Sequence, residues 1–544
     1  MSAEGSVIEI AVPGTPATPP GRSRTRRTPA PWWLWVAAVA VLVPVALPVA
    51  GLLVRAAEAS DSAWNTLASW RTLQLLVRSL AFTAAVTAAA SVIGVTGAWL
   101  LARTDLRFRR IWGVAFAMPL VIPSYVVALV LISATGPRGL IADATGLSLP
   151  HLIGMPGALL ALTISTYPYV YLITAAALTK ADPALEDAAR GLGASPRRVF
   201  ATVVLPQLRP AIGAGALLAS LYTLSDFGAV SLMRFDVFTR VIYAQYSGRL
   251  DRTPAIVLSI VLIVAALVII GLEQRTRGKG AYFSQKPTRP PTLYRLVGAR
   301  KVGAHAFLAG VVAVGVIAPV VVLIGWLIRG LATGTTIGIP WTAVVGSLTG
   351  GSLAAVAAVA AAVPVVILSV RHSSRATTWL ERSVYIIFSL PHITVAIAVI
   401  AFTVRYARPV YQSLLVLVMV YAAMFLAQAT GPAKASLLQV DPHLDDASRS
   451  LGRGHLGTIA RVTVPLMSKG LIAGALLVFV TTLKELPATL LLRPSGFTTL
   501  SVRIWSAADE LLYTQAAASA LLLIAVSVIP VYYLSIKPKD VTEV

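Results

Sequence analysis

Twelve long apolar stretches dominate this sequence of 544 residues. About 20 consecutive apolar residues are enough for a helix to cross the hydrocarbon core of a membrane. Only 12% of the residues are charged, against about 25% in soluble domains, so an ordinary soluble fold is excluded. The sequence therefore predicts an all-α integral membrane protein with about twelve transmembrane helices. The stretches lie at roughly residues 32–54, 79–101, 111–134, 157–179, 210–232, 255–272, 306–329, 347–370, 383–404, 410–430, 469–491 and 514–536.

The basic residues are distributed unevenly among the segments that connect these stretches. The chain carries 45 Lys and Arg against 22 Asp and Glu, a net charge of +23 that in a soluble protein would point to nucleic acid. If both termini are cytoplasmic, the cytoplasmic segments hold 31 of the 45 basic residues, as expected from the enrichment of Lys and Arg on that side. We therefore predict a multi-pass protein of the bacterial inner membrane with both termini in the cytoplasm. The outer loop 233–254, which carries four arginines, is the exception.

Composition also sets the expected domain boundaries. Residues 1–31 are rich in Pro, Ser, Thr and Arg and are predicted to be a disordered cytoplasmic tail. The apolar run that follows is too long for a typical signal peptide, so we predict a retained first helix. A basic cytoplasmic linker at 273–305 separates a first half at 32–272 from a second half at 306–536, and residues 537–544 form a cytoplasmic C-terminus.

An internal repeat relates the two halves. Residues 182–239 align with residues 441–498 at a constant offset of 259 without a gap, and 23 of the 58 positions are identical. The identities include Asp, Pro, Gly and Arg, which apolar composition alone would not align. Further upstream, at an offset of 268, Pro123 faces Pro391. Because each half has six spans, the halves are predicted to be parallel repeats related by an axis along the membrane normal.

The best-matched part of the repeat lies between the fourth and fifth spans of each half, on the predicted cytoplasmic side. Residues 182–205 and 441–464 each begin with Asp-Pro, which favours a helix start. Each also contains a glycine, Gly193 or Gly452, that can end the short helix. A helix–Gly–helix elbow preserved in both halves indicates a docking surface. The alternative is that a duplication left two similar loops without a shared role.

The two elbows resemble the EAA loops of ATP-binding cassette (ABC) importer permeases. The shared pattern is acid-Asp-Ala-x-Arg-x-Leu-Gly, followed by a hydrophobic residue and Pro. Two such loops in one chain are similar to the fused permeases of the iron(III) importer type, and the resemblance covers residues 32–536. It implies the type I ABC importer permease fold with two six-helix halves. The second loop departs from the family pattern at Asp445, where Glu is usual, and at Ser448, where Ala is usual.

The segment after each elbow bears on the substrate. Residues 484–494, KELPATLLLRP, resemble a signature of iron(III) permeases, and residues 225–228 and 234–239 resemble the corresponding segment of the first half. The resemblance implies import of ferric iron delivered by an extracytoplasmic binding protein. Permeases for thiamine, polyamines and phosphonate share the architecture and remain alternatives. A more remote alternative is an ATP-independent secondary transporter, which would not need matched elbows.

The resemblance also implies partners. Each elbow would form a coupling helix seated in a cleft of a separate ATPase subunit, one of a homodimer. The residues at this contact would be Glu186, Asp187, Ala188, Gly193 and Pro206 in the first half, and Asp445, Asp446, Ala447, Gly452 and Pro465 in the second. The chain has no Gly-x-x-x-x-Gly-Lys phosphate loop followed by Ser or Thr. We therefore predict a permease subunit that is not an enzyme and binds no cofactor, with ATP and Mg on the partner.

Charged residues within the spans mark a candidate translocation pathway. Asp226 and Glu485 are equivalent under the offset of 259. A carboxylate inside a membrane span is costly unless it faces a cavity or a partner. Paired acids around the axis suit a cation, but each acid pairing with a basic neighbour is the alternative. Lys484 is a poor partner for Glu485 in a regular helix, since adjacent residues do not face each other. Arg234 and Arg493, also equivalent, are candidates for an outer gate or a binding-protein contact, or for snorkelling at the interface.

Histidine and tyrosine offer weaker candidates for the pathway. His392 follows a proline inside a span and is interpreted as a hydrogen-bonded packing residue. Tyr167, Tyr169 and Tyr171 carry hard oxygens that suit ferric ion, although tyrosines near a membrane surface are usually anchors. The sequence has no Cys and no cluster with the spacing of a metal site, so we predict no high-affinity metal site.

Overall fold

The computed structural model describes residues 31–58, 61–137, 139–180, 183–248, 251–276, 293–335 and 338–536. The predicted tail up to residue 30, linker residues 277–292 and C-terminal residues 537–544 lie outside these ranges. Within the described residues the chain folds into helices, and its one pairing of extended backbone is an isolated bridge between Thr104 and Tyr294.

The transmembrane spans number twelve in the described part of the chain, in agreement with the prediction, if each bent pair of helices is one span. We number them 1 to 12 in chain order. The straight spans are Trp70–Arg103 (2), Gly154–Thr179 (4), Phe200–Ser225 (5), Thr253–Leu272 (6), Ala299–Ala332 (7), Trp341–Arg371 (8) and Tyr513–Tyr533 (12). The bent spans are Trp32–Ala40 with Val43–Ala57 (1), Arg109–Val121 with Ser124–Ala134 (3), Arg375–Ser389 with His392–Tyr406 (9), Leu414–Met424 with Leu426–Leu437 (10) and His455–Leu466 with Ser468–Leu483 (11).

Short helices connect the spans in a similar order in the two halves. The first and second elbow helices are Pro183–Gly191 and His443–Ser450. The first and second break helices, Gly228–Leu232 and Pro487–Leu492, follow spans 5 and 11. The first and second outer helices are Phe238–Gly248 and Leu500–Asp509. The remaining short helices are Asp61–Ala68, Leu140–Thr145, Pro196–Val199 and the 3-10 helix Arg408–Val410.

Prolines cause the sharpest bends among the spans. Pro123 and Pro391 precede the second helices of spans 3 and 9, which bend by 90° and 101°. Both prolines have extended backbone, and the residue before a proline disfavours the helical conformation. The two halves are therefore bent at equivalent positions.

Each half is built around three closely packed spans. Spans 2, 4 and 5 pack together in the first half, and spans 8, 10 and 11 in the second. Gly215 permits the close approach of spans 4 and 5, because a Cβ there would lie 2.6 Å from the Cα of Val170. Gly474 has the same role in the second half, where a Cβ would lie 2.9 Å from the Cα of Ala429. Small residues let the backbones of membrane helices approach each other in this way.

The first span of each half packs against the other half. Span 1 lies against spans 8 and 9, and span 7 lies against span 3 as well as span 12. Near the C-terminal ends of spans 1 and 7, Glu58 pairs with Arg405 at 2.7 Å, and Arg329 forms an ion pair with Asp143. The two halves therefore interlock and do not merely lie side by side.

Spans 5 and 11 end earlier than predicted. The expected spans 210–232 and 469–491 are not continuous, since their helices stop at Ser225 and Leu483. Asp226 is extended and caps the first break helix with its side chain, and Pro487 begins the second. Pro487 lacks the amide needed to continue the preceding helix. The first break has no proline, and there the Asp226 side chain binds the amides of the helix that follows.

The ungapped repeat fails near its end. Ser79 Oγ accepts a hydrogen bond from the amide of Phe238, and Ser347 Oγ accepts the equivalent bond from the amide of Leu500. Because the two serines are related by the offset of 268, Phe238 corresponds to Leu500 and not to Phe497. The loop before the second outer helix is therefore three residues longer than in the first half.

Candidate functional site

The two elbows have the same backbone geometry. Gly193 and Gly452 follow the elbow helices with φ of 82° and 83°, in the left-handed region that favours glycine. Their amides donate to the carbonyls of Arg190 and Arg449, each at 2.9 Å. This is a helix ending typical of glycine, so the local sequence is sufficient to produce the turn.

A buried ion pair attaches each elbow helix to its own half. Glu186 lies 2.9 Å from Arg103 at the end of span 2, with side chains 4% and 1% exposed. Asp445 lies 2.9 Å from Arg371 at the end of span 8, with both side chains 13% exposed. The arginines were missed by the sequence reasoning, although the offset of 268 relates them. Glu186 and Asp445 therefore face their own half, whereas the prediction places them at the partner contact.

Each elbow also carries an exposed leucine beside its turn glycine. Leu192 and Leu451, which precede the turn glycines, are 89% and 82% exposed. The two leucines are related by the offset of 259, so each elbow exposes an apolar residue at the same position. The sequence reasoning named their neighbours but not these leucines. The other exposed predicted residues are Asp187, Ala188, Gly193, Asp446, Ala447, Gly452 and Pro465, while Pro206 is half-buried.

In the first half, the candidate pathway acid is buried and fully hydrogen-bonded. Asp226 Oδ1 accepts from the amides of Ala229 at 3.0 Å and Val230 at 3.3 Å, and its other oxygen accepts from the hydroxyl of Ser124. Thr239 donates to the Asp226 carbonyl at 2.6 Å. The carboxylate therefore caps the first break helix, a favourable position for a negative charge.

In the second half, the equivalent acid has a different second partner. Glu485 Oε1 accepts from the amide of Ala488 at 2.9 Å, and Oε2 lies 2.7 Å from Nδ1 of His392. His392 also packs edge-on against Phe425 with ring centroids 5.5 Å apart. The prediction of a hydrogen-bonded histidine is confirmed, but its partner was not foreseen. The offset of 268 relates His392 to Ser124, and this equivalence was the sequence signal that could have identified Glu485 as the partner of His392.

The two breaks meet at the interface between the halves. Lys484 Nζ donates to the carbonyl of Leu120 in the first half at 2.8 Å and does not pair with Glu485. A Cβ on Gly228 would lie 3.0 Å from Cδ2 of Leu486, so the first break helix begins against the residue that precedes the second. Both breaks therefore lie at the interface between the halves, where a relative rotation of the halves would change their contacts.

The equivalent arginines beyond the breaks are in different environments. Arg493 donates to the carbonyl of Phe497 in its own loop at 3.2 Å. Arg234 is exposed and has a φ of 52°, which is unusual for a residue with a Cβ. The first-half arginine is therefore the more accessible of the two.

The tyrosines of span 4 hold the third span in place. Tyr167 donates to the carbonyl of Phe116 at 2.8 Å, and Tyr171 to that of Gly113 at 3.3 Å. Tyr169 lies against Tyr222 with ring centroids 5.9 Å apart. Tyr167 and Tyr171 therefore act in helix packing.

Comparison with known proteins relates the whole chain to transport permeases. A family model described as a binding-protein-dependent transport system inner membrane component matches residues 90–273 and 354–536, once in each half. The chain is 31% identical over 509 residues to the Fe(3+)-transport system permease protein FbpB 2 of Haemophilus influenzae, covering 93% of this chain and 98% of the relative. It is 33% identical over 257 residues to the molybdenum transport system permease protein ModB of Mycobacterium tuberculosis, covering 46% of this chain and 96% of the relative. It is 26% identical over 247 residues to a probable sulfate transport system permease protein, cysT, of Nephroselmis olivacea, covering 44% and 87%.

Proposed function

This chain belongs to the binding-protein-dependent transport permeases of the inner membrane, and we propose that it is the fused permease of an ABC importer for ferric iron. The observation that carries the proposal is the likeness to an Fe(3+) permease along both halves. Two acids at equivalent breaks, Asp226 and Glu485, add chemical support because paired carboxylates suit a cation. The molybdenum and sulfate relatives match only about half of the chain.

We propose that the elbows are the contacts with a separate ATPase homodimer in the cytoplasm. Leu192 and Leu451 supply an apolar contact, and the neighbouring acids Asp187 and Asp446 are exposed beside them. The buried ion pairs at Glu186 and Asp445 carry the movement of each elbow into spans 2 and 8. Both termini are then cytoplasmic, and ATP and Mg are bound by the partner.

The proposed pathway runs between the halves past the two breaks. An extracytoplasmic binding protein delivers the ion to the outer face, where Arg234 and Arg493 lie beyond the break helices. Rotation of the halves separates Lys484 from the Leu120 carbonyl and opens the space beside the acids. The resting contact closes the path, and ATP-driven movement opens it.

Reconstituted transport tests the substrate. The chain, its ATPase and its binding protein are placed in proteoliposomes, and uptake of ferric iron is compared with that of thiamine, spermidine, a phosphonate and molybdate. We expect ferric uptake that requires all three components and ATP. Preferred uptake of another compound overturns the iron assignment. Uptake without the ATPase overturns the importer mechanism and favours a secondary transporter.

The acids are tested by a neutral double variant, Asp226→Asn with Glu485→Gln. Both replacements keep the side-chain size and can still accept amide hydrogen bonds, so the fold is retained. We expect ferric uptake to be lost while the amount of protein and its binding to the ATPase are unchanged. Normal uptake by this variant would rule out a role of the two charges in the pathway.

A further inference from the structure

The end of the linker between the halves is attached to the first elbow. We call residues 293–296 the strap. The amide of Tyr294 donates to the Arg103 carbonyl at 2.8 Å, and the amide of Asp105 donates to the Tyr294 carbonyl at 3.2 Å. The Leu296 amide donates to Asp105 Oδ1 at 2.8 Å, which holds the pKa of that carboxyl below its ordinary value. The strap therefore follows the end of span 2 through three hydrogen bonds.

The side chain of Tyr294 reaches the elbow helix. Arg190 donates to the Tyr294 hydroxyl at 2.9 Å, and its guanidinium carbon lies 5.0 Å from the centre of the ring. The same guanidinium lies 3.3 Å from Glu186, which pairs with Arg103. Trp99 also packs against Tyr294, with ring centroids 5.7 Å apart. Tyr294 thus completes a cluster that holds Arg190 against the buried ion pair.

The strap is continuous with span 7, which starts at Ala299 and packs against span 3. The strap therefore links the first elbow to the first span of the other half. In the second elbow, Arg449 binds Asp446 at 2.5 Å and the Asp445 carbonyl at 3.4 Å. No tyrosine caps Arg449 in the part of the chain that the structure describes.

We propose that Tyr294 is a positioning residue that fixes the first elbow helix for its partner and couples that helix to span 7. The inference rests on the proposed function of the elbows as ATPase contacts. Because, among the described residues, a tyrosine holds the arginine of the first elbow but not that of the second, the two ATPase contacts are mechanically unequal. Within the described ranges, the first elbow is held by its own half and by the strap, whereas the second is held by residues of its own half.

The test uses the full complex in proteoliposomes and the variant Tyr294→Phe, which keeps the ring and the backbone but removes the acceptor of Arg190. Tyr532→Phe, an exposed tyrosine of span 12, is the matched control. We measure ATP hydrolysed per ferric ion imported and the stimulation of hydrolysis by the binding protein. We expect this ratio to rise about 3- to 10-fold in Tyr294→Phe, as for the loss of a hydrogen bond of ordinary net strength, and to stay unchanged in the control.

Two outcomes overturn the inference. An unchanged ratio in Tyr294→Phe shows that the strap does not position the elbow. A lower amount of protein with an unchanged ratio shows a purely structural role. Asp105→Ala, which frees the Leu296 amide without altering Arg190, provides a second variant and should raise the ratio less. If the unaltered complex shows no stimulated hydrolysis, the proposed function fails instead, so the two failures are distinguishable.

Discussion

The helix breaks of the two halves have the same backbone arrangement but differ in the side chain that is hydrogen-bonded to the acid. In both, a buried carboxylate accepts backbone amides of the break helix. Its second partner is the hydroxyl of Ser124 in the first half and the imidazole of His392 in the second. The interactions that define the backbone are therefore duplicated, while the side chain beside each acid has diverged. The two sides of the proposed pathway are not chemically equivalent.

The elbows differ in a related way. The first has the longer acid, Glu186, in a nearly fully buried pair, and the strap beside it. The second has the shorter acid, Asp445, which also accepts from the hydroxyl of Thr463 at 3.0 Å, where the first half has Val204. The first elbow is thus held by a buried ion pair and by the strap, and the second is held by additional polar contacts.

The largest expected effect comes from removing the arginines of the buried pairs. Arg103→Ala leaves buried Glu186 with Arg190 alone, at 3.3 Å, and should lower the free energy of unfolding by about 3 kcal/mol, the lower end of the cost of breaking a buried pair. Arg371→Ala should cost less, because Asp445 is more exposed and keeps its bond to Thr463. Thermal unfolding of the purified proteins measures both, with the exposed Arg107→Ala as control. Equal losses would contradict the difference in burial.

A smaller effect is expected at the glycines between packed spans. Gly215→Ala places a Cβ against the backbone of Val170 and should destabilise the protein by about 1–3 kcal/mol. Gly474→Ala, with slightly more room, should cost somewhat less. Gly213→Ala is the matched control in the same span, since a Cβ there meets nothing within 4 Å. If Gly213→Ala were as harmful as Gly215→Ala, close packing would not be the cause.

Single replacements at the breaks should have a moderate effect. Ser124→Ala removes a donor from buried Asp226 and should cost about 1–2 kcal/mol. His392→Phe keeps the contact with Phe425 but removes the bond to Glu485. This loss should be smaller, because the His392 side chain is 21% exposed and water can replace it. Calorimetry of both variants in one detergent measures their losses of stability. A larger loss for His392→Phe than for Ser124→Ala would contradict the prediction.

The smallest effect is expected when the second elbow is given the residues of the first. Ser448 and Thr458 form a buried hydroxyl pair at 3.1 Å, where the first half has Ala189 and Val199. Ser448→Ala alone leaves the Thr458 hydroxyl without this partner and should cost about 1 kcal/mol. The double variant with Thr458→Val should be nearly neutral. A double-mutant cycle measures the coupling, and additive losses would show that the pair is not a unit.

Much of the fold was predictable because membrane spans and turn glycines are local features. The twelve apolar stretches and both elbow turns, with Gly193 and Gly452, follow from the residues themselves. The ends of spans 5 and 11 were predicted wrongly, since hydropathy continues through the breaks that Asp226 and Pro487 produce. The departure at Ser448 was visible in the sequence, but its explanation requires Thr458 as a partner.

The sequence by itself determined the class of protein, the number of spans and the duplicated elbows, because apolar length and short motifs act locally. Only the tertiary structure decided which side chains meet. Ser124 and Asp226 are 102 residues apart, and His392 and Glu485 are 93 apart. Hydropathy measures how well a helix suits lipid, and it carries no information on which other helix that helix packs against. The attachment of the strap to the first elbow and the packing of spans 1 and 7 against the opposite half depend on such distant contacts.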